Sequence, residues 1–324
     1  MADRIRPHIL LTRRWPDEVV RRLQERYDVA MDEEDRPLER ALLGDALKRF
    51  DAVCPTVTDR IDAGLLADAR SRILANYGAG FEHIDIEAAR RRGIIVTNTP
   101  DVLTEATAEL AILLMLGAAR RAREGWEELR LGTWPGWSPG HLVGSGLDGR
   151  SLGLVGFGRI GRAVARRAHF GLGMHISYFA RTAGDDSLSR AVGARHQGNL
   201  DALLAQSDVV SLHCPGGPAT RHLVDAHRLA LMKPGSILVN TARGSVVDEA
   251  ALAAALRQGR PGAAGLDVYE DEPRVSQALL ECPNAFLLPH LGSATRDARV
   301  AMGMRAADNL DRFFAGGEPA DRVA

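Results

Sequence analysis

Along the N-terminal third of the chain, short apolar runs alternate with stretches whose apolar residues recur at helical spacing. His8–Thr12, Tyr27–Met31, Asp51–Cys54, Ile73–Tyr77 and Ile94–Thr97 read as strands. Pro16–Arg26, Leu38–Phe50, Ala63–Asp68 and Ile86–Arg92 read as helices, the first with proline near its start and the last stopping at Gly93. In the second of these helices, Leu42, Leu43, Ala46, Leu47 and Phe50 are predicted to share one face. Apolar strands separated by short helices predict a parallel sheet covered on both faces.

Thr104–Glu124 is a long predicted helix, and its apolar stretch Leu110–Ala119 is about half a membrane span. A buried helix is therefore expected. Gly132–Gly149 has no period and is rich in glycine and proline, while Trp126, Trp134 and Trp137 lie in or near it. It reads as an ordered loop between domains, because disordered linkers rarely carry so many aromatics. A second alternating series then predicts strands at Ser151–Val155, Met174–Phe179, Val209–His213, Ser236–Asn240, Gly262–Leu266 and Ala285–Leu288, and it ends in a helix, Ala294–Ala315, with no strand after it.

Composition narrows the class without changing this picture. The 324 residues are enough for about two domains of ordinary size, with 45% hydrophobic and 26% charged residues. The formal charge of -1 and the absence of a basic stripe point to neither a nucleic-acid nor a membrane partner. Cys54, Cys214 and Cys282 are far apart and show no metal-ligand or disulfide spacing, so no metal is expected and a reducing, cytoplasmic setting is.

The run Gly156-Phe-Gly158-Arg159-Ile160-Gly161 follows an apolar strand and leads into a helix, the context in which this glycine pattern binds a dinucleotide. Gly156 is expected to make the tight turn, Gly158 to admit a pyrophosphate, and Gly161 to let helix and strand pack closely. The amides of Arg159 and Ile160 are expected to face the phosphates. An acid at the end of the next strand would favour NAD, and a nearby arginine NADP. Ala180 occupies the acid position, followed by Arg181 and Thr182, with Asp185 and Asp186 further along. NADP, used as NADPH, is therefore favoured, with NAD as the alternative.

Hydride transfer to a 2-oxo acid requires a cation for the carboxylate and carbonyl, and a proton donor for the alkoxide that forms. Arg243, Glu272 and His290 stand after predicted strands, where ligands bind in open α/β sheets. An arginine suits the first role and a histidine the second, with a carboxylate to fix the imidazole tautomer. Each also has an ordinary structural reading, as a surface cation, a loop acid and a satisfied histidine.

The chain resembles the D-isomer-specific 2-hydroxyacid dehydrogenases over nearly its whole length. The likeness rests on Asn76-Tyr-Gly-Ala-Gly80-Phe-Glu-His-Ile-Asp85, Val96-Thr-Asn-Thr-Pro100, Gly156-Phe-Gly-Arg-Ile-Gly161, His213-Cys-Pro215, Asn240-Thr-Ala-Arg-Gly244, Gly265-Leu-Asp-Val268 and Pro289-His-Leu-Gly-Ser-Ala-Thr295, in that order. Within the family it is most similar to the glyoxylate/hydroxypyruvate reductases, through Tyr178-Phe-Ala-Arg-Thr182 and Trp134-Pro-Gly-Trp137. The resemblance implies two doubly wound parallel-sheet α/β domains. A Rossmann coenzyme domain, residues 102–292, would be inserted in a flavodoxin-like substrate domain, residues 1–101 plus 293–324.

It further implies that Arg243 binds the substrate, that His290 is the acid/base and that Glu272 orients it. Ala79 and Gly80 would offer amides to the substrate carboxylate. Asp267 would contact the nicotinamide, while Thr107, Cys214, Pro215, Thr241, Ala242 and Gly292 would line the coenzyme. Trp137 would reach the neighbouring subunit's site in a homodimer. The segment Cys54-Pro-Thr56 does not match cleanly, which leaves the side-chain preference for the acid open. Formate dehydrogenase is disfavoured, because that branch carries glutamine where Glu272 stands. The alternatives are an NAD-linked dehydrogenase for a bulkier D-hydroxy acid and a dinucleotide-sensing corepressor on the same fold.

Overall fold

The computed structural model describes residues 6–183 and 187–324 and divides into two compact units. One comprises Met1–Leu103 with Ser293–Ala324, and the other Thr104–Gly292.

The first unit holds β1 (His8–Leu11), β2 (Asp28–Met31), β3 (Ala52–Cys54), β4 (Ile73–Ala75) and β5 (Ile95–Thr97). They form an all-parallel sheet in the order β2-β1-β3-β4-β5. β3 and β4 are buried at every residue, as expected of strands covered on both faces. The final helix, Arg296–Phe314, belongs here. Gly303 lets it approach the helix Asp17–Gln24, since a Cβ at Gly303 would lie 2.7 Å from Val19 Cγ1. Arg22 pairs with both Asp308 and Asp311, and Tyr27 donates to Asp311 at 2.7 Å. Leu42 departs from its predicted face: it is 56% exposed, while Leu43, Ala46, Leu47 and Phe50 are buried.

The second unit adds β6 (Ser151–Val155), β7 (His175–Phe179), β8 (Arg195–His196), β9 (Val209–Leu212), β10 (Ile237–Asn240), β11 (Ala263–Leu266) and β12 (Ala285–Leu287). The order β12-β11-β10-β9-β6-β7-β8 is parallel throughout. The chain runs outward from β6 to β8 and then crosses back to β9, so the topological switch lies between the carboxyl ends of β6 and β9. The two-residue β8 has no apolar run and was not predicted.

The predicted helix over 104–124 is in fact two, Thr104–Ala119 and Ala122–Leu131, joined through Arg121 in the left-handed region at φ 54°. No glycine or proline marks the break. A returning segment makes it: the Ser145 amide donates to the Ala119 carbonyl at 2.8 Å. Arg123 then turns its guanidinium onto the carbonyls of Leu280, Cys282 and Ala285. Arg296–Phe314, at 19 residues, is the longest helix among the described residues.

Residues 132–149 contain no helix or strand, but both their ends lie in the second unit, so they do not connect domains as predicted. Nor do the tryptophans order the loop by burial, since Trp134 is 52% and Trp137 83% exposed. Among the described residues, no helix is long and apolar enough to cross a membrane.

Candidate active site

The turn after β6 is shaped by two close backbone approaches. Gly156 has φ +96°, and a Cβ there would lie 2.7 Å from the Cys214 amide nitrogen and the His213 carbonyl. A Cβ at Gly161 would lie 2.3 Å from the Gly156 carbonyl oxygen. Gly158 differs, because a Cβ there would meet nothing within 4 Å. It is the N-cap of the helix Arg159–Leu172, which no side chain caps. The amides of Ile160 and Gly161 have no acceptor among the described residues. An open backbone edge at a long helix's positive end fits a pyrophosphate.

Ala180, Arg181 and Thr182 follow β7, with the Ala180 carbonyl accepting from His196 Nε2 at 3.0 Å and the other two exposed. Asp185 and Asp186 lie outside the described residues. After β9, half-buried Cys214 adjoins the glycine turn while Pro215 is exposed, and burial pushes the Cys214 thiol up to about 11. His213 is enclosed between Ser211 Oγ at 2.8 Å and Thr241 Oγ1 at 3.4 Å, and burial pushes its pKa down to about 3. It is therefore a neutral structural tie between β9 and β10.

At the end of β10, buried Asn240 clamps the turn that carries Thr241, Ala242 and Arg243. Its Nδ2 donates to the Arg243 carbonyl at 2.9 Å, and its Oδ1 accepts from the Ala242 amide at 3.0 Å. Gly244 then comes against the loop after β11: a Cβ on it would sit 1.8 Å from the Tyr269 carbonyl carbon. That loop carries Glu272, whose Oε1 accepts from the Tyr269 amide at 3.0 Å. Glu272 Oε2 accepts from His290 Nδ1 at 2.8 Å. Burial opposes ionisation of Glu272, but the bonds from His290 and Tyr269 outweigh it and hold the carboxyl below its usual range.

His290 has φ 54°, a left-handed conformation that histidine adopts more readily than most residues, and its amide donates to the Asp267 carbonyl at 2.8 Å. The Asp267 carboxylate accepts from the amides of Leu291 at 2.6 Å and Gly292 at 2.8 Å. Burial nonetheless pushes its pKa up to about 6. A Cβ on Gly292 would lie 3.3 Å from Asp267 Oδ2 and 3.5 Å from Thr107 Cγ2, so these three residues form one cluster.

Two groups of the predicted site residues thus converge at the carboxyl ends of β6, β9, β10, β11 and β12. The glycine turn adjoins Cys214. Arg243, Glu272, His290, Asp267, Thr107 and Gly292 are joined through the Gly244 contact and the bonds above.

Ala79 and Gly80 belong to the first unit. Asn76 Nδ2 donates to the carbonyls of Gly78 at 3.0 Å and Gly80 at 2.9 Å, and Asn98 Nδ2 to that of Ala79 at 2.7 Å. The amides of Ala79 and Gly80 have no acceptor among the described residues. Trp137 lies in the exposed 132–149 segment. The sequence reading missed Asn76, Asn98, Asn240 and Gly244 as shaping residues. An asparagine directly after an apolar run was the available signal for Asn76 and Asn240, and one at the end of a predicted strand for Asn98. The fourth depends on a contact between segments far apart in sequence. Among the described residues, no cluster of three or more metal-ligating side chains occurs.

The sequence model of the D-isomer specific 2-hydroxyacid dehydrogenase NAD binding domain matches residues 112–292. The chain is 42% identical to the glyoxylate reductase of Thermococcus litoralis, covering 98% of this chain and 97% of that one. It is 39% identical to the glycerate dehydrogenase of Hyphomicrobium methylovorum, covering 96% and 97%. The NADPH-dependent glyoxylate/hydroxypyruvate reductase of Sinorhizobium meliloti, solved with NADP and malonate, superposes with a TM-score of 0.86 at 36% identity, covering 98% and 97%.

Proposed function

The chain is an oxidoreductase of the D-isomer specific 2-hydroxyacid dehydrogenase family, and on that premise we propose that it reduces glyoxylate or hydroxypyruvate to the 2-hydroxy acid with NADPH. The observation that carries this reading is the His290–Glu272 bond at 2.8 Å, joined through the Gly244 contact to the turn bearing Arg243. When bound, the nicotinamide coenzyme supplies the hydride. Arg243 holds the substrate carboxylate and polarises its carbonyl, assisted by the amides of Ala79 and Gly80. His290 Nε2 delivers the proton to the carbonyl oxygen. The imidazole left neutral keeps its Nδ1 proton on Glu272, which fixes the tautomer.

The coenzyme lies along Gly156, Gly158 and the amides of Arg159, Ile160 and Gly161. Cys214 and Pro215 flank it, Thr241 and Ala242 line it, and Thr107, Asp267 and Gly292 surround the nicotinamide. NADPH is favoured because no carboxylate stands at Ala180 to repel a 2′-phosphate, while Arg181 supplies a cation and Thr182 a hydroxyl. The enzyme acts as a homodimer in which Trp137 reaches the partner's site. The exposed Trp126, Leu129, Leu131, Trp134, Trp137 and Val143 support this, since so many apolar side chains in one stretch mark a contact surface.

The deciding measurement is the initial rate of coenzyme oxidation with glyoxylate and hydroxypyruvate, using NADPH and then NADH. NADPH is expected to be preferred, and Arg181→Ala to lower that preference by about tenfold, the worth of one exposed phosphate contact. A wild-type preference for NADH would reject the reading of Ala180-Arg181-Thr182 and keep the dehydrogenase. Turnover with neither coenzyme would reject both small substrates.

Gly158 offers a separate check on the coenzyme turn. Its Cβ position is open, so Gly158→Ala is expected to fold with an unchanged melting temperature. The added methyl would stand where the pyrophosphate approaches, so NADPH affinity is expected to fall by about tenfold or more in a fluorescence titration. Undiminished affinity would move the phosphates elsewhere.

A further inference from the structure

The loop after β4 is held by a chain of side chains that leads to His83. Asn76 directly follows β4 and is fully buried. Its Nδ2 donates to the carbonyls of Gly78 at 3.0 Å and Gly80 at 2.9 Å, which engages both of its protons. Its Oδ1, which can only accept, faces His83 Nε2 at 3.0 Å. The two carbonyls cannot donate, so the asparagine amide has one workable orientation, and His83 must carry a proton on Nε2.

The carbonyls matter because each shares a planar trans peptide with the next amide, and the two groups point in opposite directions. Drawing the Gly78 carbonyl toward Asn76 therefore turns the Ala79 amide away from Asn76. The Thr99 amide reinforces this by donating to the same carbonyl at 2.9 Å. Asn98 does the same for the next peptide. Its Nδ2 takes the Ala79 carbonyl at 2.7 Å and so turns the Gly80 amide away. Two successive amides freed in this way make a cradle for an anion. One is aimed through Asn76 and the other through Asn98.

His83 is fixed from outside that loop. Its carbonyl accepts from the Ile61 amide at 2.8 Å, and the Asp85 amide donates to the Ile61 carbonyl at 2.8 Å. Its neighbour Ile84 is buried and bridges Ile61. Asp85 then caps the helix Ile86–Arg91 by accepting from the Ala88 amide at 2.8 Å. The half-buried imidazole thus hangs from braced backbone and acts on the cradle through Asn76.

We propose that His83 is a positioning residue for the carboxylate of the 2-oxo acid, acting through Asn76 to aim the Ala79 amide. This rests on the reading that the Ala79 and Gly80 amides bind that carboxylate. The test is steady-state kinetics of the full chain with glyoxylate at saturating NADPH, with oxalate as a competing, unreactive carboxylate. His83→Ala is expected to raise the glyoxylate KM and the oxalate inhibition constant by about tenfold, the usual loss of one bond between an amide and a charged group. Turnover is expected to stay within about threefold and NADPH affinity within about twofold, because binding rather than the chemical step is affected. His83→Gln places an amide donor where Nε2 stood and is expected to restore KM to within about twofold. His83→Asn falls one bond short and is expected to behave like the alanine variant. A residue that only supports the fold would change the melting temperature without this difference between glutamine and asparagine, so equal KM values in the two would overturn the proposal. That pair is read alone if the alanine variant does not fold. Asn98→Ala separates the two ideas. A raised KM there with a wild-type KM in His83→Ala would overturn the role of His83 and keep the carboxylate reading. A wild-type KM in both would overturn both.

Discussion

Replacing His290 with asparagine is expected to lower the turnover of 2-oxo acid reduction by about 10³-fold, the middle of the range for loss of a general acid, while NADPH affinity stays within about twofold of the wild type. Asparagine is chosen over alanine because His290 sits at φ 54°, a conformation asparagine tolerates and a Cβ-only residue resists. The backbone bond from the residue-290 amide to the Asp267 carbonyl should then survive, along with the carboxylate that accepts from the Leu291 and Gly292 amides. What disappears is the proton at Nε2 and the partner that holds Glu272 ionised. The deficit should lie in kcat rather than in coenzyme binding, because the imidazole is assigned to the chemical step. Single-turnover kinetics with NADPH fluorescence separates the two. Wild-type turnover in this variant would remove His290 from the proposed role.

Gly244→Ala carries the second large effect, and its cause is mechanical. The added Cβ would overlap the Tyr269 peptide, 1.8 Å from its carbonyl carbon and 2.3 Å from the Glu270 nitrogen. Neither neighbour is the far end of a flexible side chain, so one loop must move. Such overpacking costs roughly 3 kcal/mol, which for a unit of this size corresponds to a fall in melting temperature of about 6–12 °C. The displaced loops carry Arg243 on one side and Glu272 on the other. An error of about 1 Å between such groups is enough for a 10²-fold loss of kcat/KM. Calorimetry and steady-state kinetics on the same preparation check both effects. A variant that melts like the wild type would show that the two loops separate at little cost, and Gly244 would lose its positioning role. The contrast with Gly158→Ala is instructive, because the same substitution meets only open space there.

Much of the architecture was legible beforehand, for a local reason. Central strands such as β3, β4, β9 and β10 are short, apolar and covered on two faces, so each leaves a run such as Val209–Leu212 or Ile237–Asn240 that cannot be mistaken for a solvent-facing segment. Helix ends with chemical stop signals were also readable, as at Gly93, which stands in the left-handed region just past Ile86–Arg91. The break at Arg121 was not readable. Nothing in Ala118-Ala119-Arg120-Arg121 favours it, and it is imposed by Ser145 and by carbonyls of a loop more than a hundred residues away. The loop over 132–149 was misplaced for a related reason: its tryptophans pointed to order, but burial rather than residue type decides whether an aromatic anchors its own chain.

For the site, the residue types and their order were decisive. Glycines after a strand, and Arg243, Glu272 and His290 after later ones, named the chemistry, because few side chains can bind a carboxylate, donate a proton or leave room for a phosphate. That much the amino-acid sequence determined by itself. Only the tertiary structure decided that Gly244 brings two distant loops into contact, that Glu272 reaches His290 and that three asparagines hold the turns. These facts depend on where segments far apart in sequence meet, and a one-dimensional pattern does not contain a distance between them.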